Sequence, residues 1–114
     1  MKFAQPTPEL PVPSLADALA YWRDRLGFEI AWINEAGRIG AVAHGACALF
    51  FRETEGAISP ATFWMFTEDV DAAAAELAAR GATIIEPVRD TEWGMRQFTL
   101  RDPYGNLFYF HHDL

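Results

Sequence analysis

Imidazole and thiol side chains are few in this chain: three histidines, of which His111 and His112 are adjacent, and the single cysteine Cys47. Neighbouring residues on a strand point to opposite faces, so His111 and His112 cannot share one ion from that strand. His44 precedes Gly45 in a turn-like dipeptide. Cys47 has no partner base at an informative spacing and reads as a small buried hydrophobe. Aromatic surface, by contrast, is plentiful, at 14% of residues with four tryptophans. Flat rings suit stacking on a planar ligand, and Glu9, Glu86 and Asp90 would add attraction for a cationic one. Trp93, in a polar loop beside Gly94, fits a ligand contact better than core packing. Arg96 and Arg101 flank a hairpin and read as surface ion-pairing residues.

The bulk properties narrow the classes of partner. A length of 114 residues suits one domain, and a formal charge of −7 disfavours nucleic acid and anionic membranes. A lone cysteine forms no internal disulfide, the first residues carry no long apolar core, and no run is long enough to span a bilayer. The expectation is a cytoplasmic protein.

The elements that must position these residues follow from periodicity. Pro6, Pro8, Pro11 and Pro13 confine any first strand to a sheet edge. Ser14 reads as an N-cap for a helix over Leu15–Leu26, with Leu15, Ala18, Leu19, Trp22 and Leu26 on one stripe and Gly27 closing it. Trp22 belongs to that apolar stripe, and Tyr21 to its half-exposed flank. Strands are expected over Phe28–Ile33, Ile39–Ala43 and Ala46–Arg52, then again over Thr62–Thr67. Asp69 caps a second helix that begins at Val70 and is closed by Gly81, and strands follow over Thr83–Glu86, Met95–Arg101 and Asn106–His111. Asp102-Pro103-Tyr104-Gly105-Asn106 is turn chemistry, because Asp102 can bond its own backbone, Pro103 presets φ and Gly105 accepts positive φ.

Ser14 and Asp69 lie 55 residues apart, as do Leu15 and Val70, and Gly27 and Gly81 lie 54 apart. The chain therefore reads as an α+β fold of two β-α-β-β-β repeats, about residues 8–52 and 61–112, joined by a linker over about 53–60. One helix covers only one sheet face, so the expected arrangement is a curved mixed sheet with the helices on its outer face and a ligand on its inner one.

Leu10-Pro11-Val12, the run Ala18 to Phe28, Glu68-Asp69-Val70-Asp71 and the block Trp93 to Phe110 together resemble the vicinal oxygen chelate superfamily. That superfamily includes glyoxalase I, extradiol dioxygenases and bleomycin resistance proteins. The similarity to bleomycin resistance proteins is the closest, through Pro8-Glu9-Leu10-Pro11, Trp93-Gly94 and Arg101-Asp102-Pro103. Metal enzymes of the superfamily hold a divalent ion through His, Glu or Gln. By the resemblance those positions fall on Thr7, Thr62 and Tyr109, and neutral hydroxyls bind such ions far more weakly than imidazole or carboxylate. The expectation is accordingly no metal, no cofactor and no catalytic residue.

If the superfamily's metal positions face the cavity, strand parity places Thr62, Trp64, Phe66, Tyr109 and His111 there, and Leu107 with them. Phe63, Met65, Phe108 and Phe110 then pack beneath the helices. Matching Gly45 to Gly105 adds Cys47, Leu49 and Phe51 to the cavity side of the first repeat. Trp32 and Trp93 stand where the resemblance implies aromatics that stack on a drug. The expected ligand-binding set is thus Trp32, Leu49, Phe51, Thr62, Trp64, Phe66, Trp93, Tyr109 and His111. The function this implies is metal-free sequestration of a small aromatic, cationic drug or metabolite, by a homodimer that exchanges N-terminal strands. A metal-dependent glyoxalase- or dioxygenase-type enzyme of the same fold is the alternative.

Overall fold

The computed structural model describes residues 1–114, and Met1–Ile58 and Ser59–Leu114 form two compact units. The first holds strands β1 (Glu9–Val12), β2 (Glu29–Asn34), β3 (Ile39–His44) and β4 (Cys47–Glu53), with helix α1 (Leu15–Leu26) between β1 and β2. The second holds β5 (Thr62–Phe66), β6 (Thr83–Asp90), β7 (Met95–Arg101) and β8 (Leu107–Asp113), with helix α2 (Val70–Ala79) after β5. Each unit has one four-stranded mixed sheet, ordered β1-β4-β3-β2 and β5-β8-β7-β6. The β-α-β-β-β repeat is therefore present twice. β1 lies at a sheet edge, parallel to β4 of the same chain, as its prolines require.

The helix boundaries follow the capping chemistry. Ser14 Oγ accepts from Asp17 N at 3.2 Å, and Asp69 Oδ1 accepts from Ala72 N at 3.0 Å. Gly27 closes α1 at φ 73°, its N–H donating to Trp22 O. The buried stripe of α1 is Leu15, Ala18, Leu19, Trp22 and Leu26. Gly40 lets this helix settle on β3, because a Cβ there would lie 3.2 Å from Leu19 Cδ1 and 3.3 Å from Leu15 Cδ1. The core beneath α1 includes Leu10, Val12, Val42, Leu49 and Phe51; in the second unit it includes Val70, Leu77, Phe98, Leu100 and Phe108. Burying a side chain of the size of Phe or Leu stabilises by about 1.5–3 kcal/mol relative to exposure.

The first N–H of each helix donates to a side chain near the end of the fourth strand of its unit. Leu15 N donates to Glu53 Oε1 at 3.0 Å, and Val70 N donates to His112 Nδ1 at 3.1 Å. Glu53 thus belongs to β4 and not to a linker. Its other oxygen accepts from Arg38 Nε at 2.9 Å, which fixes the β2–β3 turn where Arg38 adopts φ 55°. The Leu15 N–H and then the Arg38 guanidinium hold the Glu53 carboxyl below its ordinary value of 4.5. A depressed folded value means that the contribution is complete above the unfolded value and is lost as pH falls through the folded one. In thermal melts taken from about pH 6 to about pH 3, Glu53→Gln should therefore lose stability less steeply than the native chain. Parallel curves would show that the pairing does not contribute.

Candidate functional site

Strand register decides which side chains leave the helix-covered side of each sheet. In the second unit Trp64 pairs with Tyr109 and Phe66 with His111 between β5 and β8, while Thr99 pairs with Tyr109 and Gln97 with His111 between β7 and β8. Alternation places these six on one face. Phe98, Leu100, Phe108 and Phe110 take the other, where α2 lies against β6, β7 and β8. Phe63 stacks on Phe108 at 5.2 Å and Phe98 on Phe110 at 5.0 Å, so the expected layer on the helix side of the sheet is in place. His112 Nδ1 reaches the start of α2, and His111 points the opposite way, as adjacent strand residues must.

The face away from α2 carries a built aromatic surface. Trp64 and Tyr109 stack at 4.4 Å with planes 15° apart, and the His111 ring meets Trp64 edge-on at 5.7 Å. Phe66 also meets His111, at 6.1 Å. Trp64 is 52% exposed and Phe66 67%. Large rings held rigid by neighbours and left half open to solvent present stacking area at low entropic cost. Thr62 is exposed at the start of β5. Trp93, 53% exposed in the β6–β7 loop, lies under the Arg89 guanidinium, whose Cζ is 5.4 Å from the ring centroid.

In the first unit the expected set is partly corrected. Leu49 and Phe51 are 2% and 0% exposed and belong to the core, with Phe51 against the Trp22 ring at 5.7 Å. The reason is one residue of register. The β3–β4 turn has two residues, since His44 pairs with Cys47, whereas the β7–β8 turn has five, since Arg101 pairs with Leu107. Matching Gly45 to Gly105 therefore slips the strand by one and inverts every side chain. The shared helix-start bonds of Glu53 and His112 set the true correspondence, which matches Phe50, not Leu49, to Tyr109. Phe50 is the residue the sequence reading missed; its signal lay in counting back from the strand end. Cys47 is likewise exposed instead of buried.

Trp32 does reach the face away from α1, and the cause is a β-bulge. β2 pairs Ile30 with Val42 but Trp32 with Ala41, so the strand gains a residue and Trp32 turns outward. There it meets Phe50 edge-on at 5.0 Å. The second unit has the same device: Ile84 pairs with Leu100 but Glu86 with Thr99, which turns Glu86 to the open face, where its Oε1 accepts from Thr99 Oγ1 at 3.0 Å. The other two acidic candidates are engaged elsewhere. Glu9 forms a two-pronged pair with Arg52, and Asp90 pairs with Arg96, which also holds Asp71 of α2.

A divalent metal fits this arrangement poorly. Tyr109 is stacked on Trp64, Thr62 offers only a hydroxyl, and no group of three His, Cys, Asp or Glu side chains converges.

The sequence profile of the Glyoxalase/Bleomycin resistance protein/Dioxygenase superfamily matches residues 4–110. No curated protein matches the chain. Among solved structures, a bleomycin-binding protein complexed with bleomycin superposes with a TM-score of 0.83 at 24% identity, covering 98% of this chain and 100% of the other. The bleomycin-binding protein from bleomycin-producing Streptomyces verticillus, complexed with copper(II)-bleomycin, gives 0.78 at 27% identity, with 96% of each chain covered. TioX from Micromonospora sp. ML1 gives 0.82 at 24% identity, covering 97% of this chain and 100% of the other. With the repeat, the caps and the sheet order already established, the chain belongs to the Glyoxalase/Bleomycin resistance protein/Dioxygenase superfamily.

Proposed function

We propose that this protein binds a small, flat aromatic molecule without a metal of its own and acts by sequestering it, as a drug- or metabolite-binding protein. The observation that carries the reading is the Trp64–Tyr109 stack, half open to solvent and backed by His111 on the sheet face away from α2. An apolar ring laid on Trp64 gains contact area without unfolding anything. The −7 charge adds long-range attraction for a cationic ligand. Structural neighbours that carry bleomycin and copper(II)-bleomycin support this class of ligand. Antibiotic resistance by sequestration and association of two copies belong to the same proposal.

The test is a titration of the native chain with metal-free and copper(II)-loaded bleomycin, followed by tryptophan fluorescence, with light scattering on the same samples. Saturable quenching by particles of two chains is expected. Trp64→Ala should weaken binding by at least about tenfold, the loss of one stacking anchor. Binding unchanged in Trp64→Ala would remove this face from the site. No saturable response to bleomycin or to unrelated planar dyes would remove the binding function itself.

A further inference from the structure

Among the acidic side chains only Glu53, Glu86 and Asp102 are not exposed. Two of these are fully engaged: Glu53 accepts from Leu15 N and from the Arg38 guanidinium, and Asp102 accepts from Tyr104 N, Asn106 N and Asn106 Nδ2. Glu86 differs, since its Oε1 accepts from Thr99 Oγ1 at 3.0 Å while its Oε2 accepts from no protein group and it forms no ion pair. The neighbouring arginines are committed or turned away. Arg96 holds Asp71 of α2, Arg89 lies over the Trp93 ring, and Arg101, across from Thr83, reaches neither Glu86 oxygen. A carboxylate drawn partly out of water with one neutral donor is destabilising until a cation meets it. The fold puts this one in place by a specific device: the β6 bulge between Ile84 and Glu86 turns the side chain to the face of Thr99, Tyr109 and Trp64. Glu86 follows Trp32 by 54 residues, the interval that separates Gly27 from Gly81. The bulge that presents an aromatic ring in the first unit thus presents a half-exposed carboxylate in the second.

We infer that Glu86 is the counter-ion of the aromatic face, selecting flat ligands that carry an ammonium or amidinium group on a short tether. The inference rests on the binding proposal above and gives the cationic ligand a specific contact. Glu86, Thr99, Tyr109 and Trp64 follow one another across β6, β7, β8 and β5. At about 4.8 Å per strand, Glu86 lies roughly 10 Å from the Tyr109 backbone and roughly 14 Å from that of Trp64. A ring on the aromatic pair therefore meets Glu86 through an alkyl tether, whereas a cation fused to the ring stays over the aromatics. The Thr99 hydroxyl fixes Oε1, which leaves Oε2 to accept the N–H of the ligand, and the Tyr109 ring offers the same cation a second attraction. The net charge of the chain attracts every cation; contact with Glu86 distinguishes one that also stacks.

The probes are dansylcadaverine, a naphthalene ring with a primary ammonium on a pentyl tether, and its uncharged N-acetyl derivative. Both are titrated against the native chain, Glu86→Gln, Glu35→Gln and Trp64→Ala. The native chain should bind the ammonium dye about tenfold more tightly than the acetylated one, the worth of one charge-assisted hydrogen bond. Glu86→Gln keeps an acceptor for Thr99 and removes the charge, so it should reduce that preference to within about twofold. Glu35, exposed in the β2–β3 turn, is the control: Glu35→Gln changes the net charge equally and should leave the preference intact. Trp64→Ala should weaken both dyes together, which reports on the binding reading alone. Equal affinity of the native chain for the two dyes, an intact preference in Glu86→Gln, or an equal loss of preference in Glu35→Gln would each overturn the inference. A native chain that binds bleomycin but not the ammonium dye would also overturn it, with the binding reading left standing. Failure of both dyes and of bleomycin to bind the native chain would overturn it together with the reading beneath it.

Discussion

Phe51→Ala is expected to lower the free energy of unfolding by about 3–5 kcal/mol in chemical denaturation, the range for truncating a fully buried phenylalanine. Phe51 is 0% exposed, pairs with the buried Leu10 across the parallel β1–β4 ladder, and touches the Trp22 ring of α1. The truncation removes contacts on both sides and leaves a cavity that neighbouring rings can only partly close. The neighbouring residue makes the control. Phe50 lies on the opposite face against Trp32, half-buried, so Phe50→Ala should cost clearly less. A loss below about 1 kcal/mol for Phe51→Ala would mean that the β4 register is wrong by one residue. In that case Phe51, not Phe50, would line the open face.

Asp102→Ala is expected to cost about 3–4 kcal/mol, because the hydrogen bonds it removes are to a charged acceptor and leave buried donors behind. Asp102 is buried in the β7–β8 turn, where Oδ1 accepts from Tyr104 N at 3.0 Å and Asn106 N at 2.8 Å. Oδ2 accepts from Asn106 Nδ2 at 2.8 Å, and Asn106 Oδ1 in turn accepts from Ala61 N at 2.9 Å. The carboxylate therefore fixes the turn and, through Asn106, the chain entering β5. Burial pushes the Asp102 carboxyl above the usual value, and the three donors oppose that shift. Asp102→Asn should cost about half as much, since its amide oxygen can still accept the two backbone N–H groups while its nitrogen faces another donor. Equilibrium denaturation of the two variants measures the difference; equal losses would show that the Asn106 side-chain bond contributes nothing. A native-like stability for Asp102→Ala would show that the turn is held by Gly105 and Pro103 alone.

Much of the second unit was legible because its signals are local and redundant. Asp69 before Val70, Gly81 after the helix, and the Asp102–Asn106 turn each specify their own backbone without reference to distant residues. Trp64, Phe66, Tyr109 and His111 then fall on one face by alternation alone, because β5 and β8 pair without interruption. The aromatic stack is a direct consequence of that register. What no local signal revealed was Gln97: an isolated glutamine in a strand reads as surface, and only the packing around it shows the carbonyl to be buried.

The first unit was harder, for reasons of register. A two-residue turn and a five-residue turn can each contain a glycine at its tip, so aligning Gly45 with Gly105 shifted β4 by one and exchanged its faces. The bulges in β2 and β6 are equally silent, since an extra residue in a strand changes nothing in composition or capping.

By itself the sequence determined the elements, their order, the duplication and the superfamily, because caps, turns and periodicity act over a few residues. Only the tertiary structure decided which side chains share a face. That outcome depends on pairing between strands far apart in the chain, and one inserted residue reverses it. Trp32 and Glu86 are turned outward by bulges, Leu49 and Phe51 inward by a short turn, and Gln97 is buried by its neighbours. The open aromatic face is thus a property of register, which local chemistry does not encode.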